Sequence, residues 1–115
     1  MKIHGVFSNA KEVRSFSAGE TIFQAGESGT EMYGIVEGEV ELQGGHGIIA
    51  KLSNDDVFGE MALVDSSPRM ATAVATTDTV LAVIDRRLFL FLIHETPTFA
   101  LQVMSAMADR LRAQA

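Results

Sequence analysis

The sequence has no cysteine, only two prolines, and few cations, nine Lys and Arg against fifteen Asp and Glu. Without cysteine there is neither a disulfide framework nor a thiolate metal site. The net charge of −6 disfavours nucleic acid and anionic membrane as partners, because both reward clustered Lys and Arg. No apolar run approaches the ~18 residues that span a bilayer; the longest, Leu88 to Ile93, reads as a helix face. The first residues, Met-Lys-Ile-His-Gly-Val-Phe-Ser-Asn, lack the apolar centre of a signal peptide. A cytoplasmic protein is expected. The three histidines, His4, His46 and His94, are scattered and read as solvated surface residues. Metal-dependent enzymes need clustered His and carboxylate ligands, so neither a metal site nor catalysis is expected.

What is present is apolar and patterned. Over 115 residues, 47% are apolar, enough for one domain with a single core of ordinary size. Ten glycines punctuate the chain. Between them lie short apolar runs: Val13 to Phe16, Thr21 to Gln24, Met32 to Glu37, Glu39 to Gln43 and Ile48 to Leu52. The run from Glu39 alternates strictly, so one face is buried and the other wet. Gly44-Gly45-His46-Gly47 is a hairpin connection. Two more strands, Arg69 to Thr76 and Thr79 to Ile84, follow further on. Many short strands with glycine corners indicate a β sandwich or barrel.

The densest chemistry lies between Val57 and Val74. A strand ending, Val57-Phe58, runs into Gly59, whose missing Cβ permits a turn closed to most residues. Glu60, Met61, Ala62 and Leu63 read as one helical turn of good helix formers. Asp65-Ser66-Ser67-Pro68 ends it and brings the chain round to Arg69. The N-terminus of such a turn offers unpaired backbone N–H groups to an anion. Arg69 adds a planar, permanently charged fork that matches phosphate oxygens, and Glu60 a carboxylate that can accept from a sugar hydroxyl. Because the chain is acidic overall, any phosphate site must be local.

Phe58-Gly59-Glu60-Met61-Ala62-Leu63 followed by Pro68-Arg69-Met70-Ala71-Thr72 resembles the phosphate-binding cassette of cyclic-nucleotide-binding domains. These occur in protein kinase A regulatory subunits, catabolite activators and cyclic-nucleotide-gated channels. Gly19-Glu20, Ile22-Phe23 and Gly26, with Tyr33, Ile35-Val36, Gly38 and Val40, extend the resemblance over most of the chain. It implies a jelly roll, a double-stranded β-helix barrel over about 13–84, with two C-terminal helices over about 85–112. By that resemblance Arg69 pairs with the exocyclic phosphate and the N–H groups of Gly59 to Ala62 complete the cradle. Glu60 takes the ribose 2′-hydroxyl, and Ala62 and Ala71 leave room for the ligand. Phe58, Leu52 and Ala50 are candidate walls for the base. Two positions depart from the family. Asp55 stands where glycine is usual, and Asp tolerates positive φ better than most residues. Met70 stands where domains preferring cyclic GMP (cGMP) often carry Thr or Ser, so the resemblance tilts toward cyclic AMP (cAMP), with cGMP as the second candidate ligand. The bulk of Met70 also supports an alternative, a jelly-roll adaptor that keeps the fold, binds nucleotide weakly or not at all, and works through protein contacts.

The C-terminal part reads as helical. Asp85 can cap a helix through about His94, with Leu88, Phe91 and Leu92, extending to Glu95, on one face. Thr96-Pro97 is a stop and a new start. Phe99, Val103, Met107 and Leu111, four apart, form an apolar stripe to about Arg112. Phe99 and Val103 are expected on the barrel. Leu111 is open between that packing, lidding the nucleotide base and pairing with a second copy in a homodimer. The N-terminal residues are poorly patterned. No output segment is seen after the second helix, so a separate effector protein is the expected partner.

Overall fold

Two strands lack the alternation of a half-wet sheet. In β3 (Met32–Glu37) and β8 (Thr79–Ile84) apolar residues occupy successive positions. A strand so composed must be covered on both faces. The computed structural model, which describes residues 2–7 and 10–114, shows what covers them. Tyr33, Ile35, Leu81 and Val83 point into the barrel. Met32, Ala82 and Ile84 point outward into a second core, built with the C-terminal helices.

The remaining strands are β1 (Val13–Phe16), β2 (Thr21–Phe23), β4 (Val40–Gly44), β5 (Gly47–Leu52), β6 (Val57–Phe58) and β7 (Thr72–Ala75). They form two antiparallel sheets, ordered β1-β8-β3-β6 and β2-β7-β4-β5. The first strand pairs with the last, Val13 opposite Ala82, which makes the barrel a jelly roll. A single helical turn, α1 (Met61–Val64), links β6 to β7, and α2 (Arg86–Glu95) and α3 (Thr98–Gln114) close the chain. Asp85 caps α2, its side chain accepting from the Leu88 N–H at 2.8 Å. Asp55 does adopt positive φ, at 71°. Its N–H donates to the Ile35 carbonyl at 2.8 Å, and its own carbonyl accepts from Gln102 Nε2 of α3 at 2.7 Å.

Two expectations are corrected. The last sheet strand before the Thr77-Asp78 turn begins at Thr72, not at Arg69. The backbone of Arg69 is held instead by the β2–β3 connection: its N–H donates to the Glu27 carbonyl at 2.8 Å and its carbonyl accepts from Gly26 at 2.7 Å. On α2 the buried-side residues are Leu88, Phe89, Leu92 and Ile93, while Phe91 is half exposed. Phe89 turns inward because the ring of Phe99 on α3 meets it edge-on at 6.0 Å. The N-terminal residues, poorly patterned in sequence, are anchored all the same. Phe7 is buried at 3% exposure and meets Phe99 edge-on at 6.1 Å. Gly34 makes the socket, since a Cβ there would stand 2.5 Å from the Phe7 ring.

Two variants test the socket. Phe7→Ala should cost about 3 kcal/mol in urea unfolding, as for other buried rings. Gly34→Ala should cost about 1–3 kcal/mol by overpacking, and that penalty should shrink in the Phe7→Ala background, where the space is empty.

Candidate functional site

The turn after β6 is built as its residues dictate. Gly59 has φ +79°, which reverses the chain without a Cβ penalty. The bonds of the turn begin with the Ala62 N–H, which reaches the Gly59 carbonyl at 3.4 Å, followed by Leu63 N–H to the Glu60 carbonyl at 3.0 Å. The N–H groups of Glu60 and Met61 precede these bonds and lie at the positive end of the turn.

Beside this turn is a cavity of about 190 Å³, open to solvent at one side. Gly59, Glu60, Met61, Ala62, Arg69, Met70 and Ala71 all line it, so seven of the ten residues singled out from the sequence come together. Phe58 does not. It is wholly buried in the barrel core, with its ring 5.4 Å from Tyr33 and 5.9 Å from Phe23. Strand alternation is the reason, because Val57 takes the outward face and Phe58 the inward one. Ala50 and Leu52 line a separate cleft between β5 and α3. The apolar walls of the cavity are instead Phe23, Leu42 and Ile49, with Met107 and Leu111 from α3. Met70 sits at the rim, 60% exposed.

Arg69 is the electrostatic centre of the cavity. It is 8% exposed, and among the described residues no carboxylate pairs with it. Its Nη1 donates to the Gly59 carbonyl at 3.1 Å, and its guanidinium carbon lies 4.3 Å from the centre of the Phe23 ring. Burial pulls its pKa below the ordinary arginine value, opposed by the negative potential of Tyr33, Glu31, Glu27 and Glu60. An arginine remains a cation at neutral pH all the same. A second, partly buried cation differs. Arg110 of α3 donates from Nη1 to Glu60 Oε1 at 2.6 Å, the carboxylate being buried and the guanidinium largely so, and from Nη2 to the Val57 carbonyl. Glu60 is thereby fixed with a carboxylate edge on the cavity that also contains Arg69.

Arg110 was not among the residues picked from the sequence, although a signal existed. It lies three residues after Met107, on the same side of α3 as the apolar stripe. A cation there is buried and needs a partner.

The family model for the cyclic nucleotide-binding domain matches residues 13–96. A cAMP-dependent protein kinase regulatory subunit of Mycosarcoma maydis is 44% identical over 72 residues, which are 59% of this chain and 14% of that protein. The catabolite activator protein of Thermus thermophilus, in its crystal structure, matches with a TM-score of 0.75 and 34% identity, over 93% of this chain and 52% of that one. A chain solved from a cyclic-GMP-dependent signalling pathway of bacterial phytopathogenesis matches with a TM-score of 0.74 and 26% identity, over 92% and 88% respectively. The chain spans less than half the length of the first two curated relatives, 14% and 48%.

Removing Arg110 should expose how Glu60 is held. Arg110→Ala leaves a buried carboxylate without its partner and should cost about 3–5 kcal/mol in stability. Glu60→Gln in that background should recover part of the loss, since a neutral amide is cheaper to bury. A cost near zero for Arg110→Ala would mean that the pair does not hold α3 to the turn.

Proposed function

The chain belongs to the cyclic nucleotide-binding domain family, and from that premise we propose that it is a single, non-catalytic sensor module for a cyclic mononucleotide. In this proposal cAMP is preferred over cGMP, and the module acts in the cytoplasm on a separate effector protein. One observation carries the reading: Arg69 is a buried cation without a carboxylate partner among the described residues, at a cavity whose walls are apolar. A buried charge is costly unless it is paired. An anion with an apolar body supplies what is missing, its phosphate on Arg69 and its base on the walls.

The geometry supports the roles that the family resemblance implies. The exocyclic phosphate takes the Arg69 fork and the N–H groups at the start of α1. The ribose 2′-hydroxyl donates to Glu60, whose carboxylate Arg110 already orients. The base lies against Leu42 and Ile49, with Met107 and Leu111 of α3 beside it. Met70 brings a thioether and no hydroxyl to the rim, so guanine finds no donor there. The relatives divide on this point, since the Mycosarcoma maydis protein is named for cAMP and the phytopathogenesis pathway for cGMP. The preference for cAMP therefore rests on Met70. Output passes through α3, because Arg110 joins it to the residue that meets the ribose.

Calorimetric titration with cAMP and cGMP, together with thermal melting, tests the proposal. Millimolar ligand at micromolar affinity should add about 4 kcal/mol of stability, more with cAMP than with cGMP. Arg69→Ala should weaken binding by about one to two decades, the worth of a charge-assisted fork. Arg69→Lys should restore part of that, and Glu60→Gln should lose less than Arg69→Ala. Hydrogen exchange over 97–112 should slow on binding. No shift with either nucleotide would favour the adaptor alternative.

A further inference from the structure

The β2–β3 connection contains two glycines, three residues apart, that do different work. Gly26 has φ +90°, and a Cβ on it would meet nothing within 4 Å. It is glycine for its backbone conformation. Gly29 is not among the residues with positive φ, so its conformation is one that any residue can adopt. Space is what demands glycine there. A Cβ on Gly29 would stand 2.4 Å from Cζ of Arg69 and 2.5 Å from both Nε and Nη2. The guanidinium occupies the place where a side chain would be.

The guanidinium also meets the Phe23 ring, with Cζ 4.3 Å from its centre. That separation suits a cation stacked on an aromatic face. One edge is held by the Gly59 carbonyl, and a Cβ on Gly59 would come within 3.0 Å of Nη1. The backbone of Arg69 is bonded on both sides to Gly26 and Glu27, the connection that carries Gly29. Arg69 is thus packed close against Gly29, the Phe23 ring and the Gly59 carbonyl. We propose that Gly29 is a positioning residue for ligand binding, acting through Arg69. Together with Phe23, it fixes the plane of the fork before the anion arrives and so sets affinity. This rests on Arg69 being the phosphate-binding group. A freely rotating arginine must be ordered by the ligand, at a loss of affinity. One already clamped in plane needs no ordering.

A double-mutant cycle on the full chain, read by calorimetry with cAMP, tests the assignment. The variants are Gly29→Ala, Arg69→Lys and the two combined. The atoms that a Gly29 Cβ would meet are the movable end of a side chain, so Gly29→Ala should melt within a few degrees of the parent. It should nevertheless bind cAMP about tenfold more weakly, the lower end of what a charge-assisted fork contributes. Gly29→Val should bind more weakly still. In the Arg69→Lys background the added loss from Gly29→Ala should fall below about twofold, because an ammonium has no plane to misalign. Three outcomes would overturn the assignment while leaving the proposed function standing: Gly29→Ala binding like the parent, the same tenfold loss in both backgrounds, or a chain unfolded by Gly29→Ala. A parent that binds neither cAMP nor cGMP would remove the proposed function and this assignment together.

Discussion

A guanidinium taken out of water without a carboxylate beside it is an expensive thing to build, and the barrel is arranged round one. Phe23 lies under Arg69, the vacancy at Gly29 admits it, and the Gly59 carbonyl takes one of its protons. These neighbours lessen the desolvation without cancelling the charge. The chain has carboxylates to spare at a net charge of −6, and it uses them on other arginines: Glu31 pairs with Arg14 at 2.6 Å, and Glu60 with Arg110. Keeping Arg69 unpaired in an acidic protein leaves its charge available to an anion. The surrounding negative charge then acts against anions everywhere except in the cavity.

The helices depend on the same region. α3 is tied to the chain around the turn at three successive levels. Phe99 packs into the outer core with Phe7 and Phe89. Gln102 donates to the Asp55 carbonyl in the loop that leads into β6. Arg110 grips the Val57 carbonyl and the Glu60 carboxylate at the cavity itself. From Phe99 to Arg110 the helix therefore passes from the outer core to the cavity. Apolar packing is non-directional and tolerant of small shifts, whereas a buried ion pair depends on geometry. The contact with Glu60 is made at the C-terminal end of α3. That end also presents Leu111, 71% exposed, so the unresolved choice between barrel packing and another role goes against the barrel.

Much of this protein was legible in its sequence, and the legible part has a common character. Glycine corners, the hairpin connection at Gly44 to Gly47, the Asp85 cap and the Gly59 turn are decided by φ and ψ of adjacent residues, which residue type restricts directly. The grouping of Glu60, Met61, Ala62 and Arg69 was legible for a related reason, since one short segment carries them all and the turn between them has few ways to close.

Other features depended on contacts between residues remote in sequence. Val57 and Phe58 are both apolar, and only the pairing of β6 with β3 decides that Phe58 enters the core while the cavity is walled by Phe23, Leu42 and Ile49. Phe7 carries no periodic signal, and its burial depends on the space above Gly34. Arg110 finds Glu60 fifty residues away, and Gly29 is glycine because of a side chain forty residues further on. The sequence by itself determined where the chain turns, which segments extend or coil, and which residues could hold an anion. Which face of each strand looks into the cavity, and what holds Arg69 and Glu60 in place, the tertiary structure alone decided, because side-chain packing is set by neighbours that chain order does not bring together.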